Sequence, residues 1–438
     1  RAPLRLQGGQ IRLPSTEASD STGPGSGTAH PSIYRKEERL TVYSIIFLYQ
    51  TFISFMGLYT FETGIYQKTF GRHTEAELSL APYLLNFVCF LIISHPLKDF
   101  EAGQLQPNKE QEKVYSLIST FVCVITVVYS IVLYLYSNLI GGLSYADQYN
   151  MARVGEMTTF GNPILDFILN RFYQILLLLI PFAFAYNFIR LSRRKNVKKS
   201  TIIILLIFLP QFLSCVVMAA RGRMFFLFTQ IVFFIVLFYP LFNIKFKRNI
   251  KRFGMIFIVI ACFYSYLISS SRFENSNQST IHGIARYFGE PYPNLSISYW
   301  NASEINHPYG LRQFYGICKY FNDDLRIDKG LGIRQDYWSY RTKVPIQNFK
   351  TLYGDLYVEF GHFIPFLVLG LTACIYVYLR RRVHGVMKVV AMYFCYKICV
   401  MGLFDYVAEF GVIEIILVFL VSFAIDKFGQ RHIQKAIR

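Results

Sequence analysis

Charged residues are scarce in this chain of 438 residues. Only 16% of them are Asp, Glu, Lys or Arg, whereas 53% are hydrophobic and 17% aromatic. Soluble domains carry about a quarter of charged residues, so a chain of this size with so little charge does not have the composition of a water-soluble protein. Nothing in it has the pattern of an ordinary soluble enzyme.

Cysteine chemistry is also lacking, although the chain contains eight cysteines. Seven of them lie within long apolar runs, and only Cys318 lies outside. No Cys-x-x-Cys pair occurs, and no cluster of His and Cys has the spacing of a metal site. We therefore expect no disulfide framework, no metal ion and no other cofactor.

The first 33 residues lack methionine and any apolar run, and they are rich in Ser, Thr, Gly and Pro. A signal peptide needs an apolar central region, so this stretch cannot serve as one. We expect residues 1–33 to be disordered or an artefact of gene-start assignment, and they take no part in the functional argument.

What the chain does contain is a series of apolar runs of about 20 residues, the length that crosses a hydrocarbon core of about 30 Å. Lipid offers no partners to the backbone, so runs this long indicate helices. The sequence therefore predicts an all-α polytopic membrane protein with about ten transmembrane helices. These are expected at 40–60, 77–94, 115–137, 173–189, 201–219, 224–244, 253–270, 356–379, 387–404 and 411–425.

The distribution of basic residues predicts the orientation of these spans. With both termini in the cytoplasm, the inner segments carry 25 Lys and Arg residues, whereas the four short outer segments carry six. Such a bias towards the cytoplasmic side is typical of polytopic membrane proteins. The net charge of +18 thus implies contact with anionic lipid headgroups, and we expect no nucleic acid partner.

One outer segment is much longer than the others. Seven spans lie within 34–270, a large extracytoplasmic loop follows at 271–354, three spans lie within 355–426, and a basic cytoplasmic tail ends the chain at 427–438. The loop holds ten Lys and Arg residues and both tryptophans of the chain. Loops of this length are usually functional, and we expect short helices within it.

Several arginines lie where arginine should be scarce. Arg221 and Arg223 flank Gly222, which permits a tight turn between two apolar spans, and Arg272 lies at the outer end of the next span. Arg153 and Arg286 belong to outer loops. One interpretation is that these side chains extend to the lipid headgroups at helix ends. The other is that they converge on a diphosphate, because the guanidinium holds phosphate oxygens with two parallel hydrogen bonds.

A second group of charges is acidic. If the stretch TLYGDLYVEFGHF (351–363) is helical, Asp355, Glu359 and His362 lie on one face. A carboxylate there is a candidate general base, as is His282 in the loop. The acids would equally suit the first turn of a helix or an ion pair with arginine. The simplest arrangement has the acids orienting the arginines, with one carboxylate left for chemistry.

Aromatic residues are concentrated in the large loop, and sugar rings pack well against aromatic faces that have a polar edge. The candidates for contact with a glycan are Trp300, Trp338, Tyr287 and Tyr353. The alternative is that these rings form the interfacial aromatic belt and the core of a small domain.

The order of these elements resembles the Wzy-type polymerases of O-antigen and capsule, also called oligosaccharide repeat unit polymerases. The matching stretches are SYADQYNMAR (144–153), ARGR (220–223), SRF (271–273), ARYFGEPYPNLS (285–296) and TLYGDLYVEFG (351–361). The resemblance covers about residues 34–428, and its motifs are short. Where the family pattern would end on Asp-Phe-Gly, this chain has Glu359-Phe360-Gly361, which leaves open whether Asp355 or Glu359 takes the acidic role.

The resemblance implies a fold of the membrane glycosyltransferase and O-antigen ligase kind in the bacterial inner membrane. It implies polyprenyl-diphosphate-linked oligosaccharides as substrates, joined into surface polysaccharide on the extracytoplasmic side, with a chain-length regulator as a partner. Arginines would hold the diphosphate. The first candidates are Arg221 and Arg272, and the second are Arg223, Arg153 and Arg286. Asp355, Glu359 or His282 would act as the base. The alternatives are a flippase or transporter of lipid-linked oligosaccharides, or an O-antigen ligase.

Overall fold

The computed structural model describes residues 40–70, 77–102, 109–140, 163–217, 221–273, 279–325 and 331–402, together with 416, 419–420 and 423–424. Four predictions fall outside the described residues: the tail at 1–33, Arg153, most of the tenth span and the basic tail at 427–438.

Every regular element in the described part of the chain is helical. The helices, numbered along the chain, are α1 (Val42–Glu62), α2 (Ile65–Phe70), α3 (Leu80–Ser94), α4 (Lys109–Ile140), α5 (Pro163–Ser192), α6 (Val197–Val217), α7 (Arg221–Phe238), α8 (Ile244–Phe273), α9 (Thr280–Gly289), α10 (Tyr315–Cys318), α11 (Leu331–Thr342), α12 (Thr351–Phe360), α13 (Ile364–Arg382) and α14 (Gly385–Met401). A short turn (Pro291–Pro293) and a π-helix (Asn294–Trp300) follow α9, and 3₁₀ turns occur at His95–Leu97, Tyr239–Leu241 and Asp323–Leu325. The predicted all-α class is confirmed for these residues.

Five helical stretches among the described residues are long and apolar enough to cross a membrane. They are Val42–Glu62, Leu80–Leu97, Glu112–Val132, Met224–Leu241 and Ile364–Arg382. This is consistent with a helical membrane protein. Four further predicted spans coincide with α5, α6, α8 and α14, and the total of ten spans with both termini inside stays a prediction.

The eighth predicted span is wrong at its start. The apolar run from residue 356 was expected to enter the membrane as one helix, but α12 ends at Phe360 and α13 begins only at Ile364. Gly361 separates them with a φ of +81°, a left-handed conformation that L side chains rarely adopt. The side chains from Thr351 to Glu359 in α12 are buried within the protein, so their apolar character does not require contact with lipid.

Helices α3 and α13 lie side by side and run parallel. At one end, Arg380 in the last turn of α13 donates hydrogen bonds to the Pro96 carbonyl at 2.9 Å and the Asp99 carbonyl at 3.1 Å, just beyond α3. Nearer the other end, the Tyr353 amide of α12 donates to the Asn86 side chain of α3 at 3.1 Å. Helix α12 is therefore fixed beside the first half of α3.

Candidate functional site

The long loop is folded into short helices, as expected, and its first part packs on α1 and α3. The Tyr83 hydroxyl donates to the Tyr292 carbonyl at 3.0 Å, and the two rings stack with their centroids 5.3 Å apart. The Tyr292 hydroxyl accepts a hydrogen bond from the Gln50 side chain of α1. The Tyr66 hydroxyl donates to Asn294 at 2.8 Å. These polar contacts fix the turn at Pro291–Pro293 and the first residue of the π-helix on α1, α2 and α3.

Helix α9 approaches α1 so closely that only glycine fits at the crossing. A Cβ on Gly289 would overlap the Met56 carbonyl and would lie 2.5 Å from the Thr60 hydroxyl. On the other helix, a Cβ on Gly57 would lie 2.9 Å from the Tyr292 Cβ. The backbone of α9 is therefore held directly against α1, and the polar residues of α9 take their positions from that contact.

Arg286 is the predicted diphosphate ligand whose side chain the structure describes. It lies on α9, 30% of its side chain is exposed, and its Nε donates to Glu290 at 2.9 Å. Burial raises the pKa of the Glu290 carboxyl above its ordinary value, and the Arg286 charge opposes that rise. The guanidinium is thus anchored by one edge to a buried acid.

For Arg221, Arg223 and Arg272 the structure describes the position in a helix but not the side chain. The expected tight turn at Gly222 is wrong, because Arg221, Gly222 and Arg223 form the first turn of α7. Arg272 belongs to the last turn of α8, which extends to Phe273 rather than ending at residue 270. Arg153 lies outside the described residues.

The start of α7 and helix α9 pack against the same apolar residues, Ile53 and Tyr292. Phe225 and Phe226, one turn beyond the two arginines, belong to a small apolar cluster that also contains Tyr287, the neighbour of Arg286. Phe225 stacks on Tyr49 of α1 with centroids 5.7 Å apart. Helix α8 packs on α9 as well. Three helices that bear predicted diphosphate ligands are therefore linked, α7 and α9 through this cluster and α8 through its contact with α9.

His282 lies on α9 one turn before Arg286, and its side chain is exposed. The helix begins at the Ser279 cap, whose hydroxyl accepts a hydrogen bond from the His282 amide at 3.3 Å. Residues four apart share a helix face, so an imidazole and a guanidinium lie side by side there.

Asp355 and Glu359 have no exposed surface and share one arginine. Arg312 donates from one terminal nitrogen to Asp355 Oδ1 at 2.6 Å and from Nε to Glu359 Oε2 at 3.0 Å. Glu359 Oε1 also accepts hydrogen bonds from the amides of Gly310 at 2.7 Å and Arg312 at 3.2 Å. The two acids therefore fix the stretch 310–313 onto α12.

Two further side chains complete this cluster of Arg312, Gln313, Lys350, Asp355 and Glu359. The Gln313 amide donates to Asp355 Oδ2 at 2.8 Å, and the Lys350 ammonium lies 3.7 Å from Asp355 Oδ1. Two cations meet two carboxylates, and all four carboxylate oxygens have partners. Burial raises the pKa of Glu359, with Asp355 adding to the rise and Arg312 opposing it.

This cluster differs from the acidic stripe expected from sequence. The acids do pair with an arginine, but it is Arg312, and neither carboxylate is left over. A base role for either would require the cluster to open. His362 does not share their helix face, because α12 ends at Phe360. Arg312 is part of no recognisable sequence motif. The only signal for it in the sequence was that acids on a buried helix face need a cation as partner.

The four aromatic candidates differ in exposure. Trp338 and Tyr353 are buried in the core, with 1% and 0% exposed, so in this conformation neither reaches a glycan. Tyr287 and Trp300 are half-buried. Trp300 lies 5.8 Å from the Tyr357 ring and 5.1 Å from the exposed His362 ring, so this edge of the aromatic cluster remains open.

Within the described residues, no group of three or more His, Cys, Asp or Glu side chains is arranged to hold a metal ion. Comparison with known proteins adds no family: no protein-family model, no curated protein and no solved structure matches the chain.

Proposed function

We propose that this chain is a membrane glycosyltransferase that joins polyprenyl-diphosphate-linked oligosaccharide repeat units into a surface polysaccharide. It would act at the extracytoplasmic face of the bacterial inner membrane. The observation that carries the proposal is that α9 shares an apolar cluster with the start of α7 and packs on α8, because each of these three helices bears an arginine of the predicted diphosphate site.

The reaction needs a positive site for its leaving group. The acceptor hydroxyl attacks the anomeric carbon, the bond from that carbon to the diphosphate oxygen breaks, and polyprenyl diphosphate leaves with the electron pair. Guanidinium groups stabilise the charge that develops on that oxygen. Arg286 suits this role because Glu290 orients one edge of its guanidinium, while Arg221, Arg223 and Arg272 would complete the site.

The acceptor hydroxyl must also lose its proton to a base. Of the three predicted bases, His282 is exposed, whereas Asp355 and Glu359 are enclosed by Arg312, Gln313 and Lys350. A neutral imidazole has a ring nitrogen that can accept a proton, and an exposed imidazole is open to the acceptor hydroxyl. We therefore assign the base role to His282 and a structural role to the two carboxylates.

The test is the length profile of surface glycan in cells whose own copy of this chain is deleted and replaced by variants. Arg286→Ala should leave lipid carriers bearing one repeat unit, and Arg286→Lys should restore long chains poorly because the planar fork is lost. Arg341→Ala is the control, because this exposed arginine of the same loop contacts only Tyr337 among the described contacts.

Wild-type glycan lengths in Arg286→Ala cells with normal protein levels would contradict the diphosphate role. Accumulation of single repeat units facing the cytoplasm would instead indicate a flippase. Polymerised glycan that stays on the lipid carrier would indicate a ligase.

A further inference from the structure

The stretch 311–321 in the large loop has its polar and apolar groups reversed relative to a water-exposed segment. Its arginine and amide side chains, Arg312 and Gln313, are 6% and 3% exposed and point into the cluster with Asp355. Four of its large apolar side chains are instead exposed. A segment that faces water has the opposite arrangement, with its apolar side packed inside.

The outward side chains form one continuous face. Phe314, Ile317, Tyr320 and Phe321 are 40%, 38%, 66% and 86% exposed. The spacing of three to four residues places them on one side of the helical turns, which are closed by hydrogen bonds from the Ile317 amide to the Phe314 carbonyl at 2.8 Å and from the Phe321 amide to the Cys318 carbonyl at 3.0 Å. Between them, Tyr315 is buried against Trp338. We call these four residues the apolar face.

The apolar face lies beside the end of a membrane-spanning candidate. Phe314 and the Phe360 ring both come within 4 Å of a Cβ placed on Gly310, so the face begins next to the end of α12. Phe363, three residues beyond Phe360, is 82% exposed at the N-cap of α13. From there an exposed stripe of α13 continues through Leu367, Leu371 and Ile375, which is the side such a helix turns to lipid.

A lysine lies at the edge of the apolar face. The Lys319 ammonium lies 5.2 Å from the Tyr320 ring centroid and 5.9 Å from that of Tyr315. Aromatic rings with an adjacent lysine are typical of the membrane interface, where the rings lie at headgroup depth and the ammonium reaches phosphate.

We propose that the apolar face and Phe363 lie in the interfacial layer of the bilayer at the end where α13 begins. The occupant of this surface is the lipid itself. The loop segment then rests on the membrane rather than projecting into water, and the face extends the lipid-facing side of α13. The inference is independent of the proposed reaction.

The test uses fluorescence quenching of the full-length protein in phosphatidylcholine liposomes whose acyl chains are brominated near the headgroup. Phe321→Trp places a reporter on the apolar face, and its signal is the difference from the parent protein with its two native tryptophans. Tyr340→Trp is the matched control, because Tyr340 is 87% exposed in the same loop but is followed by the exposed charges of Arg341 and Lys343.

The expected result is that brominated lipid reduces the emission of the residue 321 reporter by about twofold, whereas the residue 340 reporter is quenched only by acrylamide in the water phase. Two results would overturn the proposal. Quenching of the residue 321 reporter by acrylamide alone would place the face in water. Protection from both quenchers would mean that protein covers it, either a second copy or another segment of this chain. Position 321 is open enough that the substitution disturbs no core packing.

Discussion

Arg312 lies between two carboxylates that have no exposed surface, and it donates to both. Removing one partner of a buried ion pair leaves a charge without compensation, and that loss is much larger than the net contribution of the intact pair. Arg312 lies in the loop and both acids lie on α12, so its guanidinium joins two segments, together with the Gln313 side chain and the Gly310 and Arg312 amides. At the scale of the residue, the cluster therefore has a structural role: it stabilises the packing of the loop segment 310–313 on α12.

Replacing Arg312 with Met should lower the free energy of unfolding by about 3–5 kcal/mol, because Asp355 and Glu359 would remain buried without their shared cation. Thermal unfolding of the purified protein in detergent measures this. The control is Lys343→Met, which breaks the exposed Lys343–Glu304 pair and should cost less than about 1 kcal/mol. Equal losses in the two variants would contradict the structural role.

Variants of His282 and Glu359 should distinguish a loss of catalysis from a loss of stability. Glu359→Gln weakens the Arg312 contact and should lower the midpoint of thermal unfolding, with glycan extension falling only as far as folded protein is lost. His282→Ala removes an exposed side chain, so the midpoint should stay unchanged while chain extension stops. The comparison is activity per folded protein. A normal value for His282→Ala would remove this residue from the mechanism.

At the scale of the element, the position of α9 depends on its close contact with α1. Gly289 and Gly57 let the two backbones touch, and Tyr292 then reaches Gln50 and Tyr83 beyond the crossing. His282 and Arg286 are carried by the same ten-residue helix. A displacement of α9 by one methyl group would therefore move both side chains relative to the start of α7.

Gly289→Ala should cost about 1–3 kcal/mol, because the added methyl overlaps the Met56 carbonyl and Thr60 in a packed contact. Chain extension should fall further than the loss of folded protein explains. Gly254→Ala in α8 is the control, since nothing lies within 4 Å of its Cβ position. That variant should be neutral or more stable by up to about 1 kcal/mol. Matching effects at the two glycines would argue against a close-packed crossing.

The positions of the long helices were predictable from sequence, because apolar runs of about 20 residues are typical of helices that span a membrane. The boundary of α13 was not, since the residues of α12 are equally apolar but are buried by protein. Hydropathy does not distinguish burial in lipid from burial in a domain. Likewise the pairing of Asp355 and Glu359 with an arginine was foreseeable from charge, whereas the choice of Arg312, at a separation of 43 and 47 residues, depends on tertiary contacts alone.

At the scale of the whole molecule, five candidate spans and a helical loop segment are joined in one compact unit. The orientation of that unit rests on the 25 basic residues counted on the predicted inner side. The loop after α9 and the basic start of α8 belong to opposite sides in that topology, so labelling of one residue from each is enough to test it.

In a variant with all eight cysteines replaced, Ser303→Cys should react with a membrane-impermeant maleimide in spheroplasts, whereas Arg252→Cys should react only after permeabilisation. Both side chains are exposed, so access to the reagent depends on the side of the membrane and not on burial. Labelling of Arg252→Cys in sealed spheroplasts would reverse the predicted orientation.

The long separation between Arg312 and its acids also sets an order of events during synthesis. Arg312 is made 43 residues before Asp355 and 47 before Glu359. At ribosomal speeds of about 5–20 residues per second, its guanidinium waits about 2 to 9 seconds for its partners. The contacts of Arg312 can therefore form only once α12 has been translated. Until then, the residues of the apolar face have been synthesised, but the neighbouring Arg312 is not yet bound to α12.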